Sequence, residues 1–153
     1  MRLKTTVALL AALLLLWLVL SPAGKPADDV RNVGLSPQFG AQRQGFSSRS
    51  NARGLPHLPR SLALSASEGT FQAYLLDLSA VSDPAEKVRI AMAATAAIEQ
   101  GGAPPATGLM WSSKGVAQAE ARLHCWPWGV ADYVLILYAE EHVEVEVRIS
   151  FGA

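Results

Sequence analysis

The stretch HVEVEVRISF, residues 142–151, decides how the rest of the chain is read. Val143, Val145, Val147, Ile149 and Phe151 fall on one side of an extended backbone; His142, Glu144, Glu146, Arg148 and Ser150 fall on the other. Successive side chains of a strand point to opposite faces, so the pattern predicts a strand with one dry face and one wet face. Immediately before it, Asp132 to Ala139 is apolar almost throughout, and the two runs together predict a closing hairpin. Leu62 to Ser65 and Thr70 to Leu78 flank Ser67-Glu68-Gly69 and predict an earlier hairpin. The second of these runs is apolar on both faces, as a strand inside a sheet would be.

Between the two hairpins the period changes. Asp83 suits an N-cap, Pro84 the first helical position and Glu86 the third position of a capping box, while Gly101-Gly102 and Pro104-Pro105 end the helix. On a helical wheel Val88, Ala91, Met92, Thr95 and Ile98 form one stripe, expected to cover the sheet, with Glu86, Arg89 and Gln100 opposite. Leu109 to Ser112 reads as a strand that passes through Ser113-Lys114-Gly115 into another, Val116 to Trp126. In the latter Ala117, Ala119, Ala121, Leu123 and Cys125 alternate with Gln118, Glu120, Arg122, His124 and Trp126, a period of two that favours strand, with a helix over 116–123 as the alternative. Trp126-Pro127-Trp128-Gly129 is a turn, since proline cannot donate to a central ladder.

The expected fold of residues 61–153 is therefore α+β: an antiparallel sheet of four to six strands with one helix packed on one face. The order strand, helix, strands is similar to that of cystatin-like rolls as a layout, but the Gln-x-Val-x-Gly loop of those inhibitors is absent.

Outside this body lie two segments of different character. Residues 1–23 begin with Arg2 and Lys4 and continue into the leucine-rich run Val7 to Leu20, with no charge between Lys4 and Lys25. As a helix that interval reaches ~30 Å, about one hydrocarbon core. It reads either as an uncleaved signal anchor in the membrane through residues 5–24 or as a signal peptide cut after Ala23, where Ser21 and Ala23 supply the small residues the peptidase needs. Export is the expectation in both cases: a body held in the periplasm on the inner membrane, or a soluble periplasmic or secreted one. Residues 24–60 are rich in Gly, Pro, Ser, Gln, Asn and Arg, with Val30, Val33, Leu35, Phe39 and Phe46 scattered singly, and read as a disordered basic linker.

The formal charge of zero conceals a split: Lys25, Arg31, Arg43, Arg49, Arg53 and Arg60 face only Asp28 and Asp29 in the linker, whereas the body is acidic. An acidic, exported body is a poor ligand for phosphate chains, so nucleic acid is not an expected partner. The single Cys125 rules out an internal disulfide and, far from the apolar run, a lipid-modified cysteine behind it.

No stretch matches a hydrolase, phosphate-loop, dinucleotide or zinc motif, and no cofactor is implied. Cys125 and His124 point to opposite faces of a strand, so a thiol dyad would need His57 or His142 from elsewhere in the chain. His142, Glu144 and Glu146 stand nearly parallel on one strand face and converge poorly on a metal ion, but Glu144 and Glu146 suit a basic surface. Trp126 and Trp128 on a rigid turn suit an interface with a protein or a sugar polymer. The expected function is a membrane-tethered, non-catalytic binding module of the bacterial envelope, using Trp126, Trp128, Glu144 and Glu146 toward an envelope protein or cell-wall polymer. A small periplasmic hydrolase or thiol enzyme, and a soluble carrier of a small apolar ligand, are the alternatives.

Overall fold

The computed structural model describes residues 2–20, 26–50, 54, 56–123 and 131–152. In order the elements are α1 (Arg2–Leu20), β1 (Asp29–Leu35), β2 (Gln42–Ser47), β3 (Arg49–Ser50), β4 (Pro56–Ala66), β5 (Phe71–Asp77), α2 (Pro84–Glu99), β6 (Leu109–Val116), β7 (Gln118–Arg122), β8 (Asp132–Tyr138) and β9 (Val143–Gly152). The class is α+β, but the described strands form two antiparallel sheets rather than one. The first sheet runs β1-β9-β4, with β7 on the far edge of β4 and the two-residue β3 against the start of β4. The second runs β2-β8-β5-β6.

The alternation of residues 142–151 explains the first sheet. Val143, Val145, Val147 and Ile149 are all buried against the second sheet, alongside Leu62 and Leu64 of β4. In the second sheet β5 and β8 are apolar on both faces for a simple reason. Phe71, Ala73, Leu75, Tyr133, Leu135 and Leu137 face the first sheet, while Tyr74, Leu76 and Ile136 face the helix. The result is a β-sandwich with α2 laid on its outside, so the opposite face of the helix-covered sheet is not open as it would be in a single-sheet roll. Burying each large apolar side chain contributes roughly 1.5–3 kcal/mol, and the intersheet layer holds most of them.

Sheet membership corrects both expected hairpins. β4 and β5 lie in different sheets, as do β8 and β9, so residues 67–70 and 139–142 carry the chain across the sandwich. Turn residues look the same in a hairpin and in such an arch, because both must reverse the chain within a few residues. β6 likewise runs through Ser113-Lys114-Gly115 without stopping, its pairing with β5 absorbing two register shifts. The chain then changes sheet at Ala117, and β7 is a strand with Ala121 turned inward, followed by the buried Leu123.

The segment read as a disordered linker, residues 24–60, contains β1, β2, β3 and the start of β4. Only Val33, Leu35 and Phe46 of its first two strands are buried, which is why no apolar period shows. Ladder bonds to β9 and β8 hold these edge strands, and Phe46 stacks on Tyr133 with ring centroids 5.3 Å apart. A polar clasp does the rest. Asp29 and Arg31 stand opposite the inward-facing Ile149 and Val147. Arg31 donates to the Asp29 carboxylate (2.7 Å) and, from the first sheet to the second, to the Gly45 carbonyl (2.9 Å). Arg49 donates to the same carboxylate at 2.7 Å and lies over the Phe151 ring, its guanidinium carbon 5.3 Å from the centroid.

Asp83 caps α2 by accepting from the Ala85 N–H, Pro84 follows, and Gly101 takes a φ of +78° beyond the last turn, whereas Glu86, expected to close a capping box, accepts from Arg89 instead. Its buried residues are Ile90, Ala91, Ala94, Thr95 and Ile98. Val88 and Met92, expected on the sheet side, are more than half exposed. The helix is turned so that Ala94, between the two isoleucines, lets the backbone approach the sheet closely. α1 is helical, as expected, and every large apolar side chain described on it is more than half exposed. Among the described residues no helix is long and apolar enough to cross a membrane.

Candidate binding face

The second sheet has both faces covered, one by the first sheet and one by α2. Among the described residues the first sheet has one face covered, and its outer face is where polar side chains collect. A β-bulge at Arg60, between Pro59 and Ser61, sets the phase of β4. Leu62 and Leu64 turn inward, which leaves Ser61, Ala63 and Ser65 outward. These short side chains form a floor. Register places Ala63 between Glu120 of β7 and Arg148 of β9, and Ser65 between Gln118 and Glu146. Ser61 lies between Arg122 and Ser150. With neighbouring strands ~4.8 Å apart, the walls of this trough stand roughly 10 Å from each other, wide enough for one extended chain. Its hollow encloses ≈ 410 Å³ and is lined by Ala63, Ser65, Gln118, Glu120, Glu146 and Arg148 among others.

Charge in the trough is mixed. Arg148 donates to Glu146 along its own strand at 3.2 Å, with both side chains about half exposed. Such an exposed pair contributes ~0–1 kcal/mol and is readily exchanged for a partner's charge. Glu120 sits on the opposite wall. The arrangement can accept hydrogen bonds and pair with cations on both sides of a polar chain.

Of the residues singled out from the sequence, Glu144 and Glu146 share this face; Glu146 lines the trough, and Glu144 stands beyond it opposite Gly34 of β1. Trp126 and Trp128 lie outside the described residues, as do His124 and Cys125, so a thiol dyad has no described geometry. His57 is buried on β4 opposite Arg49, and His142 is exposed beside β9. Among the described residues no group of three His, Cys, Asp or Glu is placed to hold a metal ion. The space between helix and sheet, where a carrier would hold an apolar ligand, is filled by Ile90, Ala94 and Ile98 against Tyr74, Leu76 and Ile136. A hollow beside them, next to Pro105, holds ≈ 90 Å³, well below the ~300 Å³ at which ligand pockets begin. A second open hollow of ≈ 420 Å³ lies at the β8–β9 end, edged by Glu140, Glu141, Tyr138 and Gln72. Two arginines of residues 24–60, Arg31 and Arg49, are engaged by Asp29.

Sequence reasoning missed Ser61, Ala63, Ser65, Gln118, Glu120 and Arg148 as a site. Each is legible as the outward member of an alternating pair, polar in every case but Ala63. That β7 and β9 flank β4 is not, because neighbours in the sheet are tens of residues apart in the chain. Comparison with protein-family models, with curated proteins and with solved structures finds no match to this chain.

Proposed function

We propose that this chain is an exported, membrane-tethered, non-catalytic binding module of the bacterial cell envelope, whose trough along β4 receives an extended polar segment of an envelope protein or cell-wall polymer. The observation that carries the reading is the pairing of opposites in one chain. α1 exposes leucines on every side, while the sandwich buries its own apolar residues between and beneath its sheets. A helix with no polar face is stable when lipid surrounds it. The backbone of α1 is helical for 19 residues, ~28 Å, close to one hydrocarbon core. The trough offers what a polar chain can bind: it sets carboxylates, an amide and a guanidinium around a floor of small residues.

Fractionation of the native host with intact-mass measurement tests the tether. Full-length chain in the membrane pellet is expected; a soluble form starting at Gly24 removes the anchor from the proposal. Glu120→Lys with Glu146→Lys tests the trough. The double variant should lose the envelope component crosslinked to the parent chain, and equal recovery would count against the face.

A further inference from the structure

The four outer edges of the two sheets are not alike. An edge strand offers unpaired backbone N–H and C=O groups to any passing strand, and proteins blunt such edges with bulges, charges or short length. β6 is blunted by two register shifts and by Lys114, whose ammonium lies 5.9 Å from the Tyr74 ring centroid. β7 is five residues long and carries Glu120 and Arg122. On β2 the Gly45 carbonyl is occupied by Arg31. Like β2, β1 pairs without a register shift and contains no proline or lysine, but its seven residues make the longer ladder, with no strand on the far side among the described residues. Its two charged side chains, Asp29 and Arg31, point inward, where they neutralise one another in the clasp. Val30, Asn32 and Gly34, which point outward with Arg148, Glu146 and Glu144, are neutral and exposed.

We propose that β1 pairs antiparallel with β1 of a second copy of this chain, joining the two first sheets into one continuous sheet about a dyad at Asn32. The occupant is argued from the strand's own sequence. Centred at Asn32, the ladder uses all seven residues and sets Val30 opposite Gly34 of the second copy, Arg31 opposite Val33, Asp29 opposite Leu35 and Asn32 opposite itself. No like charges meet, and both sandwiches keep their cores on the same side of the joined sheet. Centring one residue earlier would oppose two guanidinium groups at Arg31, and centring one later would shorten the ladder. The pairing leaves the trough along β4 open, since β9 separates it from β1.

The register makes the test specific. Residues self-opposed in an antiparallel pair have Cα atoms ~4.5–5.5 Å apart, inside the range a disulfide spans. In the full chain carrying Cys125→Ser, Asn32→Cys should give a disulfide-linked dimer under mild oxidation. Val30→Cys alone and Gly34→Cys alone should not, whereas a mixture of those two chains should link to each other. All three positions are exposed, and a Cβ at Gly34 meets nothing within 4 Å, so the variants leave the fold intact. Asn32→Lys places two ammonium groups at the dyad and should convert the detergent-solubilised chain from dimer to monomer by light scattering, with an unchanged circular dichroism spectrum. No crosslink at Asn32→Cys, equal crosslinking at all three positions, or a monomeric parent chain would each overturn the proposal.

Discussion

Glu99, the last residue of α2, accepts a hydrogen bond from the backbone N–H of Ala41 at 2.9 Å, fastening the helix to a connection 58 residues earlier in the chain. The same carboxylate lies where a side chain at Gly40 would have to go, and Gly40 has a φ of +67°. Replacing Gly40 by Ala should therefore cost ~1–2 kcal/mol for the left-handed backbone plus a further amount for displacing Glu99. Glu99→Ala alone should cost ~0.5–1.5 kcal/mol. Because both changes break the same contact, the double variant should be less destabilised than the sum, a coupling that urea unfolding of all four chains would measure.

The clasp at Asp29 gives an acid-sensitive contribution. Hydrogen bonds from Arg31, opposed by burial and supported by the charges of Arg31 and Arg49, hold the Asp29 carboxyl below its ordinary value of 3.8. A carboxyl depressed in the folded state stabilises above its unfolded pKa, and the effect is lost as pH falls through the folded one. Asp29→Asn should thus destabilise by about 1–2 kcal/mol at pH 7, Arg49 adding little because it is half exposed. The difference from the parent chain should narrow below about pH 4. Denaturation at pH 7 and at pH 3 checks the sign.

Truncations along α2 report which way the helix faces. Ile90→Ala and Ile98→Ala empty space against Tyr74 and Ile136 and should each cost ~2–4 kcal/mol. Val88→Ala and Met92→Ala remove exposed side chains and should stay within ~0.5 kcal/mol. Comparable losses for Met92 and Ile98 would put the buried stripe where the sequence alone suggested it.

Filling the trough separates binding from folding. Ser65→Tyr sets an aromatic ring between Gln118 and Glu146, and aromatics are well tolerated on an exposed strand face. Melting temperature should be unchanged, while recovery of the crosslinked envelope component should fall roughly tenfold, as a loss of ~1.4 kcal/mol in affinity would give.

What the sequence shows of this fold follows from how many apolar residues each element needs. β9 alternates cleanly because one face is buried along its whole length, and β5 and β8 are apolar on both faces because each lies inside a sheet under the helix. α2 is signalled at both ends by Asp83-Pro84 and Gly101. β1 and β2 escape notice because an edge strand can be held by ladder bonds, one ring stack and a carboxylate shared by two arginines. The change of sheet between β4 and β5, or between β8 and β9, leaves no local mark, since it depends on which distant strand each will meet. The trough shares that fate: its residues are visible singly, and their convergence is a property of sheet order.

β9 lies between β1 and β4 and is the last of the described strands to leave the ribosome. Until residues 143–152 have been synthesised, β1 and β4 lack the neighbour that joins them, and the valines that complete the layer between the sheets are missing. Much of the native pairing is therefore deferred until the last described strand has been made, and long-range pairing of this kind is slow even then. For a chain exported as proposed, that delay is useful: the portion already made stays loose enough to be threaded through a membrane pore, and closure of the sandwich waits for the far side.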